Sequence, residues 1–137
     1  MPFALQNMPH AGNQVNAVAW SHNNMIIASC GSNSNQVNLS KATDCKIISQ
    51  FEVCPKGIAV TDICFNSKSA QLAFSCDDAS VGILNIRAKI VEVERQDHDK
   101  NYSAKSVSFN CYDNLICSGC SDGEIIVYQL LSDGRQE

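Results

Sequence analysis

The sequence is poor in the features that announce a chemistry at once. Its 137 residues include three prolines and one tryptophan, and only 18% of them are charged. No apolar run approaches the roughly 20 residues that cross a bilayer. Stretches such as Ala17 to Trp20 and Glu124 to Leu131 are short or broken by polar residues. A basic surplus is also missing. A net charge of -4 leaves little with which to neutralise phosphates, so neither nucleic acid nor an anionic membrane is an expected partner. The opening Met-Pro-Phe-Ala-Leu-Gln-Asn-Met-Pro-His lacks the cationic lead and apolar core of a secretory leader. These absences predict a soluble, intracellular protein. A hydrophobic content of 45% argues against a disordered chain, and the length is that of one ordinary domain. In a reducing compartment the eight cysteines are expected as free thiols, mostly buried.

What the sequence does contain is internal repetition, the feature that most constrains a fold. Val15-Asn-Ala-Val-Ala-Trp20, Val60-Thr-Asp-Ile-Cys-Phe65 and Ala104-Lys-Ser-Val-Ser-Phe109 each end a short alternating strand on an aromatic. Those aromatics stand 45 and then 44 residues apart. After each comes a second apolar strand ending in a thiol, at Ile26 to Cys30, Leu72 to Cys76 and Leu115 to Cys120. Third strands are expected at Gln36 to Ser40, Ser80 to Ile86 and Glu124 to Leu130, and fourth strands at Lys46 to Val53 and Lys89 to Glu94. Clusters of Ser, Asn, Asp and Gly punctuate the strands, as at Ser21 to Asn24, Gly31 to Asn35, Asn66 to Ser69, Asp77-Asp78 and Ser121 to Gly123. Such residues tolerate the left-handed backbone of tight turns and hydrogen-bond locally. No segment sustains a helical apolar period. The fold class is therefore all-β, a repeat of four-stranded antiparallel sheets, and a period near 44 is that of β-propeller blades.

The third repeat carries the clearest resemblance. Cys117-Ser-Gly-Cys-Ser-Asp-Gly-Glu-Ile-Ile-Val-Tyr-Gln129 resembles the WD40 run of Ser-Gly-Ser, Asp-Gly and an apolar strand closing in Trp-Asp, with Tyr128 and Gln129 at the Trp-Asp positions. In WD40 blades a loop His, a strand Ser, a turn Asp and the Trp brace one another. The resemblance carries these roles to His98, Ser118, Asp122 and Tyr128, although His98 lies two residues further from Phe109 than the motif sets it. In the second repeat Ser75 and Asp78 match, while Leu84-Asn85 replace Trp-Asp; in the first, Ser40-Lys41 stand there. The expected organisation is an incomplete propeller. A leading segment, or the end of a preceding blade, covers 1–14; blades cover 15–53 and 54–96; a blade lacking its last strand covers 97–130; a polar tail covers 131–137.

The runs Val15 to Asn24, Gln36 to Lys46 and Ser118 to Ile126 are similar to the amino-terminal propeller of the GCP-WD family, centrosomal WD40 proteins that recruit the gamma-tubulin ring complex. In that family the propeller docks on centrosome and spindle, and a separate carboxy-terminal region binds the gamma-tubulin complex. The resemblance implies a non-enzymatic scaffold that helps target the gamma-tubulin ring complex for microtubule nucleation and mitotic spindle assembly. Its partners would be centrosomal and spindle proteins, and its location the cytoplasm, cytoskeleton, centrosome and spindle pole. About three repeats, against the family's seven blades, read as a fragment or a shortened isoform. The alternative is a WD40 adaptor of another complex, such as a ubiquitin-ligase substrate receptor.

Chemistry of a different class rests on thin signals. Cys117-Ser-Gly-Cys120 has the spacing of redox and zinc sites, but within a strand residues three apart point to opposite faces. Cys120 is also expected to share a repeated column with Cys30 and Cys76, a packing role. His10, His22 and His98 have no nucleophile at motif spacing, and no Gly-x-Ser-x-Gly elbow occurs. Asp77 and Asp78 sit where a turn wants Asp in any case. No catalytic, cofactor-binding or metal-binding residue is assigned, and no cofactor is expected. What remains is surface: the loop Ser32 to Gln36, the turn at Asp77 and Asp78, and the stretch Arg95 to Lys100 are candidate rim contacts. Trp20, in register with Phe65 and Phe109, is expected in the core.

Overall fold

Three hairpins, one in each repeat, are closed by the same chemistry. The N–H groups of Ser21, Asn66 and Asn110 donate to the carbonyls of Ile26, Gln71 and Leu115 at 2.9, 2.9 and 3.0 Å. The tight reversal needs a left-handed residue, supplied by Asn24, Ser69 and Asp113 at φ of 64°, 59° and 60°. Side chains at the first turn position finish the job. Ser21 Oγ accepts from the N–H groups of Met25 and Ile26, Asn66 Oδ1 from Ala70 and Gln71, and Asn110 Oδ1 from Asn114 and Leu115.

The structure, a computed structural model, describes residues 6–7, 14–95 and 102–131. Among them are eleven strands and no helix. The first sheet runs in the order β1 (Val15–Trp20), β2 (Ile26–Gly31), β3 (Gln36–Lys41) and β4 (Ile47–Glu52). The second runs β5 (Val60–Phe65), β6 (Gln71–Cys76), β7 (Ser80–Asn85) and β8 (Ile90–Arg95). The third has β9 (Ala104–Phe109), β10 (Leu115–Cys120) and β11 (Ile125–Gln129). All pairings are antiparallel. The sheets are thus the incomplete set of propeller blades that the repeat predicts. The first strands β1, β5 and β9 lie side by side, with β5 against both of the others.

Each of these first strands carries a bulge at its start. Val15 pairs with Gly31 and Ala17 with Cys30, leaving Asn16 extra; Thr61 and Lys105 are the extra residues between the corresponding pairs of β5 and β9. An extra residue in a ladder re-aims its side chain.

Burial divides each sheet into two unlike faces. The first sheet presents Ala17, Ala19, Ala28 and Cys30, with Val37 and Leu39 on its third strand, to the second sheet. The second sheet answers with Ile63, Phe65, Leu72, Phe74 and Leu84. Across the next seam it turns Cys64, Ala73, Val81 and Ile83 toward Val107, Phe109, Ile116 and Tyr128 of the third. A trailing face, small on its first two strands, therefore receives the bulky leading face of the following sheet. Phe74 is fully buried in this way. Its ring lies over Gly82, its cross-strand partner, where an added Cβ would sit 2.4 Å from the ring.

Three expectations change. Trp20 is not in the core but 56% exposed, whereas Phe65 in the same register is buried. The reason is that β5 has the first sheet against its leading face, and no described element lies against that face of β1. No disulfide joins the described cysteines, but only Cys30 and Cys76 are buried; Cys45, Cys54, Cys64 and Cys120 are half-buried, and Cys111 and Cys117 are exposed. The cysteine column is shorter as well. Cys76 pairs with Val60 and Cys120 with Ala104, but the counterpart in β2 is Gly31, and Cys30 sits one place earlier on the opposite face.

Candidate functional site

The three bulges converge. Asn16, Thr61 and Lys105 line one depression of about 420 Å³, together with Ser32, Asn33, Ala59 and Asp77. Two of the rim segments singled out in the sequence, Ser32 to Gln36 and the turn at Asp77, meet here, while the third, Arg95 to Lys100, lies almost wholly outside the described residues. Lys105 Nζ stands 3.8 Å from Asp77 Oδ1, an exposed pair that sets one positive and one negative group on the rim. Such a pair adds little stability and leaves both groups open to a partner. A second, larger groove of about 800 Å³ runs between the second and third sheets beside β11, mixing apolar walls such as Ile83 and Tyr128 with the carboxylates of Glu92 and Glu94.

The same bulged residues also hold the sheets together. Asn16 Nδ2 donates to the Val60 carbonyl at 2.9 Å, and Thr61 Oγ1 donates to the Ala104 carbonyl at 2.6 Å, so the residue in one bulge grips the first residue of the next sheet's first strand. At the far end of those strands the hairpins repeat the device. The His22 N–H donates to Ser69 Oγ at 2.7 Å, and the Ser67 N–H to Asp113 Oδ1 at 2.9 Å. The Val107 N–H adds a bond to Asp62 Oδ2 at 3.1 Å. None of these seam residues stands out from composition or motif. Their signal is positional: 16, 61 and 105 are the second residues of the three aligned first strands.

The residues assigned bracing roles are placed as follows. Ser75 is fully buried, and its hydroxyl bonds Thr61 Oγ1 at 2.7 Å, which links it to the seam bond onto Ala104. Asp78 accepts from both the N–H and the hydroxyl of Ser80, and Asp122 accepts from the Glu124 N–H at 3.1 Å, each within its own turn. Ser118 is buried on the face of β10 that Tyr128 shares through the Ile116 pairing. Tyr128 packs against the core of the seam between the second and third sheets. His98 lies outside the described residues.

Thiol chemistry is suppressed where the thiols are buried. Burial pushes the Cys30 pKa up to about 12, with the Asp62 carboxylate adding to it. Cys76 is raised as well, first by its hydrogen bond with Cys54 and then by burial. Cys120 is raised by burial and by Asp122 and Glu124, against a smaller opposing pull from Ser118. These shifts favour the neutral thiol over the nucleophilic thiolate. Among the described residues no three His, Cys, Asp or Glu side chains gather as a metal site.

A family model described as WD domain, G-beta repeat matches residues 5–39 and 92–129, a little over half of the chain. The chain is also similar to Protein NEDD1 of Homo sapiens, 26% identical over 131 residues, which cover 96% of this chain and 19% of that protein. It therefore spans about a fifth of that relative's length. Because one hairpin, one bulge and one kind of seam recur from sheet to sheet under a matching family model, the chain belongs to the WD40 repeat family.

Proposed function

We propose that this chain is a non-enzymatic interaction module that helps dock a gamma-tubulin-recruiting assembly on the centrosome and spindle. The observation that carries this reading is the similarity to Protein NEDD1 over nearly the whole chain, in line with the GCP-WD-like runs Val15 to Asn24, Gln36 to Lys46 and Ser118 to Ile126. A rigid stack of sheets that gathers polar groups from three strands into one rim depression suits protein docking. In this reading Lys105 and Asp77 take part in partner contact. Blades cover 15–53, 54–96 and 97–130, and His98, Ser118, Asp122, Tyr128, Ser75 and Asp78 brace them from within.

The test is localisation of the tagged chain in mitotic cells. Enrichment at spindle poles, reduced by Lys105→Glu in a variant of unchanged folding, is the expected result. A uniformly diffuse signal from the well-folded chain would overturn the reading. Because gamma-tubulin binding belongs to a separate region in the GCP-WD family, the 137 residues alone are expected not to co-precipitate gamma-tubulin.

A further inference from the structure

Cys30 and Cys76 are fully buried in the core between the first two sheets, and the half-buried Cys54 packs against that core. Cys54 lies in the segment between β4 and β5, at the edge of the exposed run Pro55, Lys56 and Gly57. Its sulfur donates to the Ile58 carbonyl at 3.4 Å, and its own carbonyl accepts from Asn35 Nδ2 at 2.8 Å, so side chain and backbone are both anchored. A few residues on, the Ala59 carbonyl accepts from the Asp77 N–H at 3.0 Å, and Val60 pairs with Cys76. The segment thereby returns beside the end of β6, and the Cys54 and Cys76 thiols hydrogen-bond to each other. Cys30 shares the core but sits in β2, opposite Ala17.

We infer that Cys54 and Cys76 are an oxidative modification site, forming a reversible disulfide when the chain meets hydrogen peroxide, with Cys54 oxidised first and Cys76 resolving it. Peroxide is small enough to reach a half-buried sulfur at the edge of an exposed loop. The Cys54 sulfur attacks one peroxide oxygen, the O–O bond breaks, and the thiol proton leaves with the other oxygen as water. Cys54 is then a sulfenic acid, oxidised by two electrons. Cys76 holds its proton in the native core and does not itself meet peroxide, so its turn comes when the Cys54 sulfur has become electrophilic. An S–S bond forms, the S–O bond breaks, and the Cys76 proton goes to the departing hydroxyl as a second water. The balance is two thiols and one peroxide to one disulfide and two waters.

The bond would join Cys54, held by Asn35 of the β2–β3 turn, to the last residue of β6. It clamps the second sheet to the first and restricts the unfolded chain. Asp77 follows Cys76 and bonds Ala59, and both line the rim depression, so the clamp also fixes one wall of that depression.

Trypsin separates the two residues, placing Cys54 on the peptide Ile47 to Lys56 and Cys76 on Ser69 to Arg87, each with no other cysteine. The full chain carrying Cys111→Ser and Cys117→Ser, which removes the two exposed thiols, is treated with peroxide while folded and then alkylated in denaturant. Mass spectrometry should show these two peptides joined by a disulfide, thiol titration should fall by two, and dithiothreitol should reverse both. The urea midpoint should rise on oxidation and return on reduction. Cys54→Ser in the same background alters a half-buried side chain and should fold normally by circular dichroism. Under the same treatment it should leave Cys76 reduced. A folded chain that yields no linked peptide overturns the assignment, as do a link from Cys54 to Cys30 or oxidation of Cys76 undiminished in Cys54→Ser. A linked chain with an unchanged urea midpoint overturns the clamping role.

Discussion

Asp113 accepts two hydrogen bonds from Ser67, one from its N–H at 2.9 Å and one from its hydroxyl, across the seam between the second and third sheets. Burial pushes its carboxyl up, but the two Ser67 donors, with Lys68 and His22 nearby, leave it below the usual carboxylate range. The lowered value fixes the sign of the pH dependence. The contribution is complete above the unfolded carboxylate value, near pH 4, and is lost as pH falls through the folded value. Asp113→Ala should lower unfolding free energy by about 1 kcal/mol at neutral pH, the modest amount expected of a solvent-exposed hydrogen-bonded contact. Urea unfolding of both proteins at neutral pH and at pH 3 should show the difference shrinking in acid.

Substitution at Gly82 should be far more damaging than its place in a strand suggests. A Cβ there would stand 2.4 Å from Phe74 Cζ and 2.5 Å from the Glu92 carbonyl, so both an aromatic ring and a backbone would have to move. Gly82→Ala is expected to cost at least the roughly 1 to 3 kcal/mol of core overpacking. At Gly119 the sole close atom is the Ser106 hydroxyl at 2.9 Å, so Gly119→Ala should cost clearly less. Paired thermal melts check the order.

Thr61 joins two sheets through a single hydroxyl. With that hydroxyl donating to the Ala104 carbonyl, the Ser75 hydroxyl donates to Thr61. Thr61→Val keeps the shape and removes the relay, leaving Ser75 buried without its acceptor and costing about 1 to 3 kcal/mol. Thr61→Ser should retain most of the stability. Equal losses for both variants would show that the methyl group, not the hydrogen bond, carries the contact.

The cysteines should sort by position under alkylation. Cys111 and Cys117 are exposed and should be modified in the native protein, whereas Cys30 and Cys76 should react only on unfolding, as peptide mass spectrometry can count. Their raised pKa values also set an alkaline limit. The native state holds its thiol protons more tightly than the unfolded chain, so this stabilisation is complete below the free-thiol value of about 8.5 and declines as pH rises above it. Melting temperature should therefore fall steadily from pH 9 upward.

The strands and turns were legible because their causes are local. Alternation in Val15–Trp20, Val60–Phe65 and Ala104–Phe109, followed each time by a polar hairpin, requires only a few neighbouring residues to agree, and the observed strands keep those bounds. The 44-to-45-residue spacing of Trp20, Phe65 and Phe109 then fixed the blade architecture. Burial was a different matter. Trp20 and Phe65 share a register, yet one is exposed and the other buried, because burial depends on whether another sheet lies against that face. The convergence of Asn16, Thr61 and Lys105 was equally hidden, since a bulge is defined by the partner strand and not by the residue that fills it. Local sequence determined the sheets and their period. The seams and the rim depression were decided only by how the sheets stack, because each depends on contacts between residues about 45 positions apart.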